Sequence, residues 1–391
     1  MTGTMTGTMD GPAGRPVRLL LVGAGHAHLP LIAAADRLRA AGVEPVLVAP
    51  AAFHYSGTVA ALATRTAATA GHAPGRIDVA ALARRHGVRH HVGRLTDLDL
   101  DARTARTDAT DGIDSGADLA WDLVSLNLGS TTTSPWAAVP DAVIPVKPLA
   151  PLMRLGTLLD AGSPARPSSV TVIGGGGSGI ELACGIATHP QRPRVRLLES
   201  GPVLGPSLPA GARRVVAARL AALGIAVHLD ARIEAVERDA VTGRWATSDA
   251  AGSGTSDTQR MAHDLAVVAT GLRAAPELER WGLGDHRGVP VTAHLQHPAR
   301  PEVYAVGDCA HFLPGPLPRI GVHGVRQAPV LLAGLLRPDR RPPAYRPRAT
   351  SLAVWDLGAG AALAVRGERW WQRGAGPLKA HLDRRWLRRW Q

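Results

Sequence analysis

The chain has 391 residues, 45% of them hydrophobic, which is material for two or three domains with buried cores. Its net charge is +12, but twelve Arg and one Lys against four acids from Arg337 onward put +9 of it at one end, which disfavours a uniformly basic nucleic-acid coat. No apolar run reaches 18 residues, so no transmembrane helix is expected, and two cysteines without CxxC or CxxxxC spacing fit a reducing cytoplasm rather than a redox disulfide. Residues 1–16 repeat Met-Thr-Gly-Thr, with neither a basic start nor an apolar core, and read as a disordered leader. Val17–Val22 is a short buried strand running into Gly23-Ala24-Gly25-His26-Ala27-His28. Leu29–Ala41 has helical apolar spacing, Gly42 ends it, and Pro45–Ala49 is a second strand. Residues 88–127 read as short strands and turns, closing on Trp121–Leu128 and Gly129-Ser130. The βαβ pattern then recurs: strand Ser169–Ile173, turn Gly174–Gly179, helix Ile180–Thr188, strand Arg194–Leu198 and Glu199. Residues 222–270 are again loop-rich β, with Asp249–Thr258 as an exposed hairpin tip, and strands close on Ala269-Thr270-Gly271 and on Gly307-Asp308. A Pro/Arg linker at 337–348 leads to a small module with a final helix.

A dinucleotide brings two phosphates that backbone must approach closely, and glycines permit it because no Cβ intervenes. Gly174-x-Gly176-x-x-Gly179 has the full spacing between strand and helix, and Glu199 lies twenty residues further on. A carboxylate there accepts hydrogen bonds from both ribose hydroxyls of NADH and repels the 2′-phosphate of NADPH. The first copy keeps Gly23 and Gly25 but has His28 for the third glycine. That histidine either packs in the glycine's place, caps a phosphate, or is simply satisfied against the sheet. Cys184 reads as core, and no His/Cys/Asp set has metal-ligand spacing, so no metal site is expected. In the tail, Leu378, Leu382, Trp386 and Trp390 form an i, i+4 stripe flanked by Arg384, Arg385, Arg388 and Arg389. This is a basic amphipathic helix, lying on an anionic membrane surface or docking on the protein itself or a homodimer mate.

The ordered set (GxGxxx, strand-Gly-Ser, GxGxxG, Ala-Thr-Gly, Tyr-Ala-Val-Gly-Asp) resembles the pyridine nucleotide-disulfide oxidoreductase superfamily, including type II NADH dehydrogenases. In finer marks it is similar to the NADH-dehydrogenase-like branch found fused to selenide, water dikinase. These marks are Gly25-His26-Ala27-His28, Tyr55-Ser56-Gly57, Arg76-Ile77-Asp78, Ser125–Ser130, Val146-Lys147-Pro148, Gly324–Gln327 and Leu378-Lys379 with Asp383-Arg384. The resemblance implies an α/β fold of two Rossmann-like dinucleotide-binding domains with β-meander insertions and a small C-terminal α+β module. FAD would be held by 17–140 and 270–336, NAD(P)H by 141–269, and 337–391 would be linker and module.

The resemblance further implies FAD across Gly23, Gly25, His26 and His28, with Asp308 on its ribityl chain. Tyr55, Ser56, Gly129, Gly271, Gly307, Arg326 and Gln327 would be further cofactor contacts, and NADH would bind at Gly174, Gly176, Gly179 and Glu199. A hydride would pass from NADH to the flavin, and electrons onward to a quinone or other small-molecule acceptor. Lys147, His323 and Gln327 are the candidate catalytic residues, with His323 as acid or base or merely filling a tyrosine's space. Two segments depart from the family pattern: Tyr55–Ala61 lacks its Met-Leu-Pro-Gly, and Gly321–Pro329 has His323 for tyrosine, which puts quinone itself in doubt. Two other readings stay open. One is a stand-alone FAD-dependent oxidase or dehydrogenase with a pocket around Tyr55, His311 and His323. The other is a flavoprotein whose basic tail binds nucleic acid or a partner. The first expectation for location is the cytoplasm, with peripheral attachment to the inner face of the plasma membrane if the tail meets lipid.

Overall fold

Strands that are apolar on both faces can only be buried on both faces, and such runs build two parallel sheets. The computed structural model describes residues 15–63, 75–108, 118–134, 136, 143–160, 162–246 and 258–391. The first sheet has six strands in the order Gln296–His297, Arg300–Ala305, Leu123–Leu126, Val17–Val22, Val43–Ala49 and Arg89–Val92. All its pairings are parallel except the one at the Gln296–His297 edge. The second has five parallel strands in the order Val143–Pro145, Leu265–Val268, Ser169–Ile173, Arg194–Leu198 and Ala226–His228. Smaller antiparallel sheets are inserted, among them Leu95–Asp99 with Thr104–Thr107, and Arg232–Val236 with Ala240–Arg244 and Gln259–Ala262. The chain is thus an α/β protein with a Rossmann-like core.

Each sheet has its own core. Leu19, Leu21, Leu47, Val124 and Leu126 pack with Leu29, Ile32 and Leu38 of the helical segment after the first strand. Val170, Val172, Leu197 and Val267 pack with Ile180, Leu182, Val216 and Leu220. In both units a strand ends directly on a glycine turn, and the turn is stitched to the next strand: Gly23 N–H to Val48 O at 2.8 Å, Gly174 N–H to Leu198 O at 2.7 Å. Both glycine turns therefore stand at the carboxyl ends of parallel strands, where open α/β sheets usually place their ligand sites.

Several expectations need revision. The helix read over Leu29–Ala41 is two pieces, Leu29–Ala33 and Ala35–Ala40, with Ala34 between them at φ −103°, ψ 15°. The helix after the second turn spans Gly177–Ala187, starting three residues earlier than its apolar spacing suggests. The third glycine of the motif lies inside it because a Cβ at Gly179 would sit 1.8 Å from the Gly174 carbonyl oxygen. Arg15 does not belong to a free leader: its guanidinium pairs with Asp122 at 2.9 and 3.0 Å. Residues 1–14, and the hairpin tip apart from Thr258, lie outside the described residues.

The Pro/Arg segment 337–348 has no helix or strand, yet Tyr345 within it is buried and donates its backbone N–H to Ala293 O at 2.7 Å. Beyond it, strands Ala353–Asp356, Ala362–Arg366 and Arg369–Trp371 form an antiparallel sheet, followed by the helix Ala375–Leu387. This module touches both units. Leu357, Leu363 and Val365 enter the second core, and the Arg219 guanidinium donates to the Leu357 and Gly358 carbonyls. Trp386 and Trp390 enter the first core. Among the described residues no helix is long and apolar enough to cross a membrane.

Candidate functional site

The first glycine turn is built around a side chain that sequence reading passed over. Asn127 follows the strand Leu123–Leu126 and is 7% exposed. Its Oδ1 accepts the Ala27 N–H at 3.2 Å, and its Nδ2 donates to the Val306 carbonyl at 2.9 Å. A Cβ at Gly25 would lie 2.5 Å from Asn127 Oδ1, one at Gly307 2.8 Å from Nδ2, and one at Gly23 2.5 Å from the Asn127 carbonyl oxygen. Two glycines of the turn and Gly307 of a distant strand end thus make room for Asn127. Gly23 and Gly307 also hold φ near +84° and +69°, where a side chain is strained. The backbone amides of Ala24, Gly25 and His26 have no hydrogen-bond partner among the described residues.

Asp308 follows Gly307 and is the hub of the next layer. Its Oδ2 accepts Ser130 Oγ at 2.8 Å and Lys147 Nζ at 3.3 Å. The Gly307 N–H donates to Gln327 Oε1 at 2.6 Å, and Gln327 is buried on the helix Gly321–Leu335. Gly129, next to Ser130, has φ +79° and open space where a side chain would be. Of the predicted residues, Gly23, Gly25, Gly129, Lys147, Gly307, Asp308 and Gln327 therefore lie in one connected cluster. His26 joins it: a Cβ at Gly324 would be 3.2 Å from the His26 Cβ. Burial first, and then the Lys147 charge, push the His26 imidazole down to about 4, so it is neutral near pH 7.

Tyr55 lies 5.6 Å from His26 between ring centroids, and Trp386 of the last helix covers both, stacked on Tyr55 at 4.3 Å and 5.0 Å from His26. Ser56 Oγ lies 3.3 Å from where a Cβ at Gly321 would be. The Tyr55 hydroxyl donates to Asp383 Oδ1 at 3.0 Å, and Lys379 Nζ donates to Asp383 Oδ2 at 3.0 Å and to the Gly57 carbonyl. The amphipathic tail therefore docks on its own chain. Of its stripe, Trp386 and Trp390 are buried and Leu382 is 39% exposed. The tryptophans that would have anchored it in lipid are occupied by protein.

The second glycine turn follows the expected pattern more closely. Gly174 has φ +112°, and a Cβ there would be 2.4 Å from the Ala269 carbonyl oxygen, while the space beside Gly176 is open. The first amides of the helix Gly177–Ala187 have no intrahelical partner and carry its positive dipole end. Glu199 reaches back across the turn: Oε2 accepts the Gly175 N–H at 2.5 Å and Oε1 the Gly201 N–H at 2.7 Å. Gly271, at φ +59°, also faces open space. The open spaces, free amides and carboxylate fit a dinucleotide at each turn.

Three predicted residues have other duties. His28 is fully buried, with Nδ1 2.6 Å from the Gly23 carbonyl and Nε2 2.9 Å from Ser125 Oγ, so it packs against the sheet and caps no phosphate. His323 is 7% exposed and its Nδ1 lies 2.9 Å from the Tyr345 hydroxyl; its bonded partner comes from the 337–348 segment, not from the Asp308 cluster. Arg326 donates to Ser351 Oγ at 2.9 Å and ties the long helix to the C-terminal module.

One further residue was missed. Glu181, two positions after Gly179, is partly buried and accepts the Asp356 N–H at 2.8 Å. Desolvation raises its carboxyl from 4.5 to about 7, against the Asp356 hydrogen bond and the Lys379 charge. A carboxylate among Ile180, Leu182 and Ala183 was the available signal.

The model of the pyridine nucleotide-disulphide oxidoreductase family matches residues 17–330. The chain is 31% identical over 174 residues to the nitric oxide reductase FlRd-NAD(+) reductase of Vibrio vulnificus, covering 42% of each chain. It is 29% identical over 152 residues to ferroptosis suppressor protein 1 of Xenopus laevis, covering 38% of this chain and 40% of that one. The matched part thus spans about two fifths of these curated relatives. NDH2 of Plasmodium falciparum, solved in complex with NADH, shares the fold at a TM-score of 0.79 with 13% identity, covering 95% of both chains.

Two outcomes are expected. Asn127→Ala leaves the Ala27 N–H unpaired in the interior and the Val306 carbonyl with only the weak Cys309 thiol donor, and costs about 2 kcal/mol in urea unfolding; an unchanged midpoint would remove Asn127 from its role. For Glu181, whose folded carboxyl is raised, the stabilising effect of the protonated form is full below pH 4.5 and is lost as pH rises to about 7. Glu181→Gln should therefore match the native chain at pH 4.5 and exceed its stability by about 3 kcal/mol above pH 7. A stability difference that does not vary with pH refutes this.

Proposed function

The chain belongs to the pyridine nucleotide-disulphide oxidoreductase family, and from that premise we propose that it is an FAD-dependent NAD(P)H:acceptor oxidoreductase that prefers NADH. Residues 17–140 with 270–336 would hold FAD, and 141–269 would hold NADH. The observation that carries this reading is Glu199 lying across the second glycine turn, while a second, independent turn at Gly23–Gly25 offers unpartnered amides. Bound FAD supplies the two-electron chemistry, accepting a hydride from the nicotinamide and yielding electrons to an acceptor.

The chain's own residues bind, orient and polarise. The Gly176–Gly179 amides face phosphate, and the Glu199 carboxylate takes ribose hydroxyls and excludes a 2′-phosphate. Asp308, fixed by Ser130 and Lys147, takes polyol hydroxyls. Lys147 and the N-terminus of the helix Gly321–Leu335 add positive potential that favours negative charge nearby. Gln327 positions the Gly307 amide and is not itself a proton carrier.

For the acceptor we propose a small flat molecule of the quinone class. The support is the aromatic wall of His26, Phe53, Tyr55 and Trp386 beside the first turn. Such a wall stacks on a planar ring and limits water around it.

The test is anaerobic. Addition of NADH should bleach the flavin absorbance of the FAD-loaded protein within seconds, and menadione should restore it. Failure to bleach sinks the oxidoreductase reading; bleaching without recovery sinks the quinone assignment alone. Glu199→Ala should raise the NADH KM about tenfold and narrow the preference over NADPH, because a charged acceptor is lost.

A further inference from the structure

The C-terminal module reaches the second glycine turn as well as the first. Its strand Ala353–Asp356 is anchored on the two helices of the second unit. The Asp356 N–H donates to Glu181 Oε1 at 2.8 Å, and the Arg219 guanidinium holds the Leu357 and Gly358 carbonyls at 2.9 Å each. The side chain these anchors place is Trp355. It pairs across the strands with Leu363 and packs with it against the second core.

The Trp355 indole sits where the turn becomes helix. A Cβ at Gly177, the first residue of the helix Gly177–Ala187, would lie 3.4 Å from its Cζ2 and 3.5 Å from its Cε2. A Cβ at Gly205 would lie 3.3 Å from its Cη2, and the Gly205 N–H donates to the Gly175 carbonyl at 2.8 Å. The ring therefore spans from the start of the helix to the loop that follows Glu199. Beside it, at Gly176, the space is open.

Its nitrogen is the unused group. Nε1 is bonded to Cε2, one of the atoms turned toward Gly177. Trp355 is half-buried, and its Nε1–H has no hydrogen-bond partner among the described residues. Unlike the Nε1–H groups of Trp121, Trp281 and Trp390, it is not sealed in the interior. An indole nitrogen is a donor only. The Gly177 and Ser178 amides next to it are donors as well, at the positive end of the helix dipole. Donors from two separate parts of the chain thus border one open space, which suits an anion with several acceptor oxygens.

We propose that Trp355 is part of the NADH site and donates its Nε1–H to the pyrophosphate that the Gly177 and Ser178 amides face. This rests on the reading of the second turn as the NADH site. It adds a contact from outside 141–269, so the C-terminal module takes part in nucleotide binding.

The probe is ADP-ribose, which keeps the pyrophosphate and cannot reduce the flavin. It is titrated calorimetrically into the FAD-loaded full-length protein. Trp355→Phe keeps a ring in place and drops the donor, so it should bind ADP-ribose about tenfold more weakly with FAD affinity unchanged. With isotope-labelled tryptophan, the Trp355 indole N–H resonance, assigned by its Overhauser contacts to Gly177 and Gly205, should shift on ADP-ribose addition. A native chain that binds neither ADP-ribose nor NADH removes the NADH reading itself, and this inference with it. Equal ADP-ribose binding by the two chains, a parallel loss of FAD affinity, or an unmoved Trp355 resonance overturns the Trp355 proposal alone. The resonance is read in the native chain and decides even if Trp355→Phe fails to fold.

Discussion

The geometry of the first turn depends on one buried amide. Asn127 is where three distant segments meet: the turn at Gly23–Ala27, the end of its own strand, and the end of the strand Arg300–Ala305. A primary amide suits the place because it both donates and accepts: it satisfies the Ala27 N–H and gives the Val306 carbonyl a stronger donor than the Cys309 thiol alone. The neighbouring glycines follow from it, since the backbone at 23, 25 and 307 must pass within a side chain's width of the amide or its carbonyl. Gly307 in turn sets where Asp308 begins, and Asp308 sets Lys147.

The two sheets have separate cores, joined where Val59 of the first unit packs into the second core and again by the C-terminal module. The C-terminal module puts its strands on the second core and its last two tryptophans in the first. Glu181 accepts the Asp356 N–H on one side of this junction, and Tyr55, Asp383 and Lys379 form a hydrogen-bonded chain on the other. A surface ion pair such as Lys379–Asp383 contributes little alone. Here both side chains are less than 20% exposed and each has a second partner, Gly57 or Tyr55.

The fold was legible where burial imposes a pattern on adjacent residues. Val17–Val22 and Ser169–Ile173 could be read to the residue because strands buried on both faces are largely apolar runs, and Arg194–Leu198 because it closes the repeated βαβ spacing on Glu199. The second glycine turn was legible because its partner, Glu199, sits at a fixed spacing on the next strand. Asn127 was not, since its partners lie 100 and 179 residues away and no local pattern announces them. The Tyr345–His323 pair, 22 residues apart, had no local signal either, and it favours the packing alternative for His323 over the acid–base one. The amphipathic stripe of the tail was visible, but periodicity names a face and not what covers it; Trp386 on Tyr55 supplies the answer.

The clasp between Tyr55 and Asp383 spans 328 residues of chain. At ordinary translation rates the two partners emerge on the order of tens of seconds apart. The early strands can pair as soon as residues 17–126 are made, because Val17–Val22 finds two of its neighbours there. Through that interval His26, Phe53 and Tyr55 wait without their tryptophan, an aromatic face open on the nascent chain. The wall beside the first turn is thus completed last, and a chain cut before Trp386 keeps both glycine turns but lacks the ring that covers Tyr55 and His26.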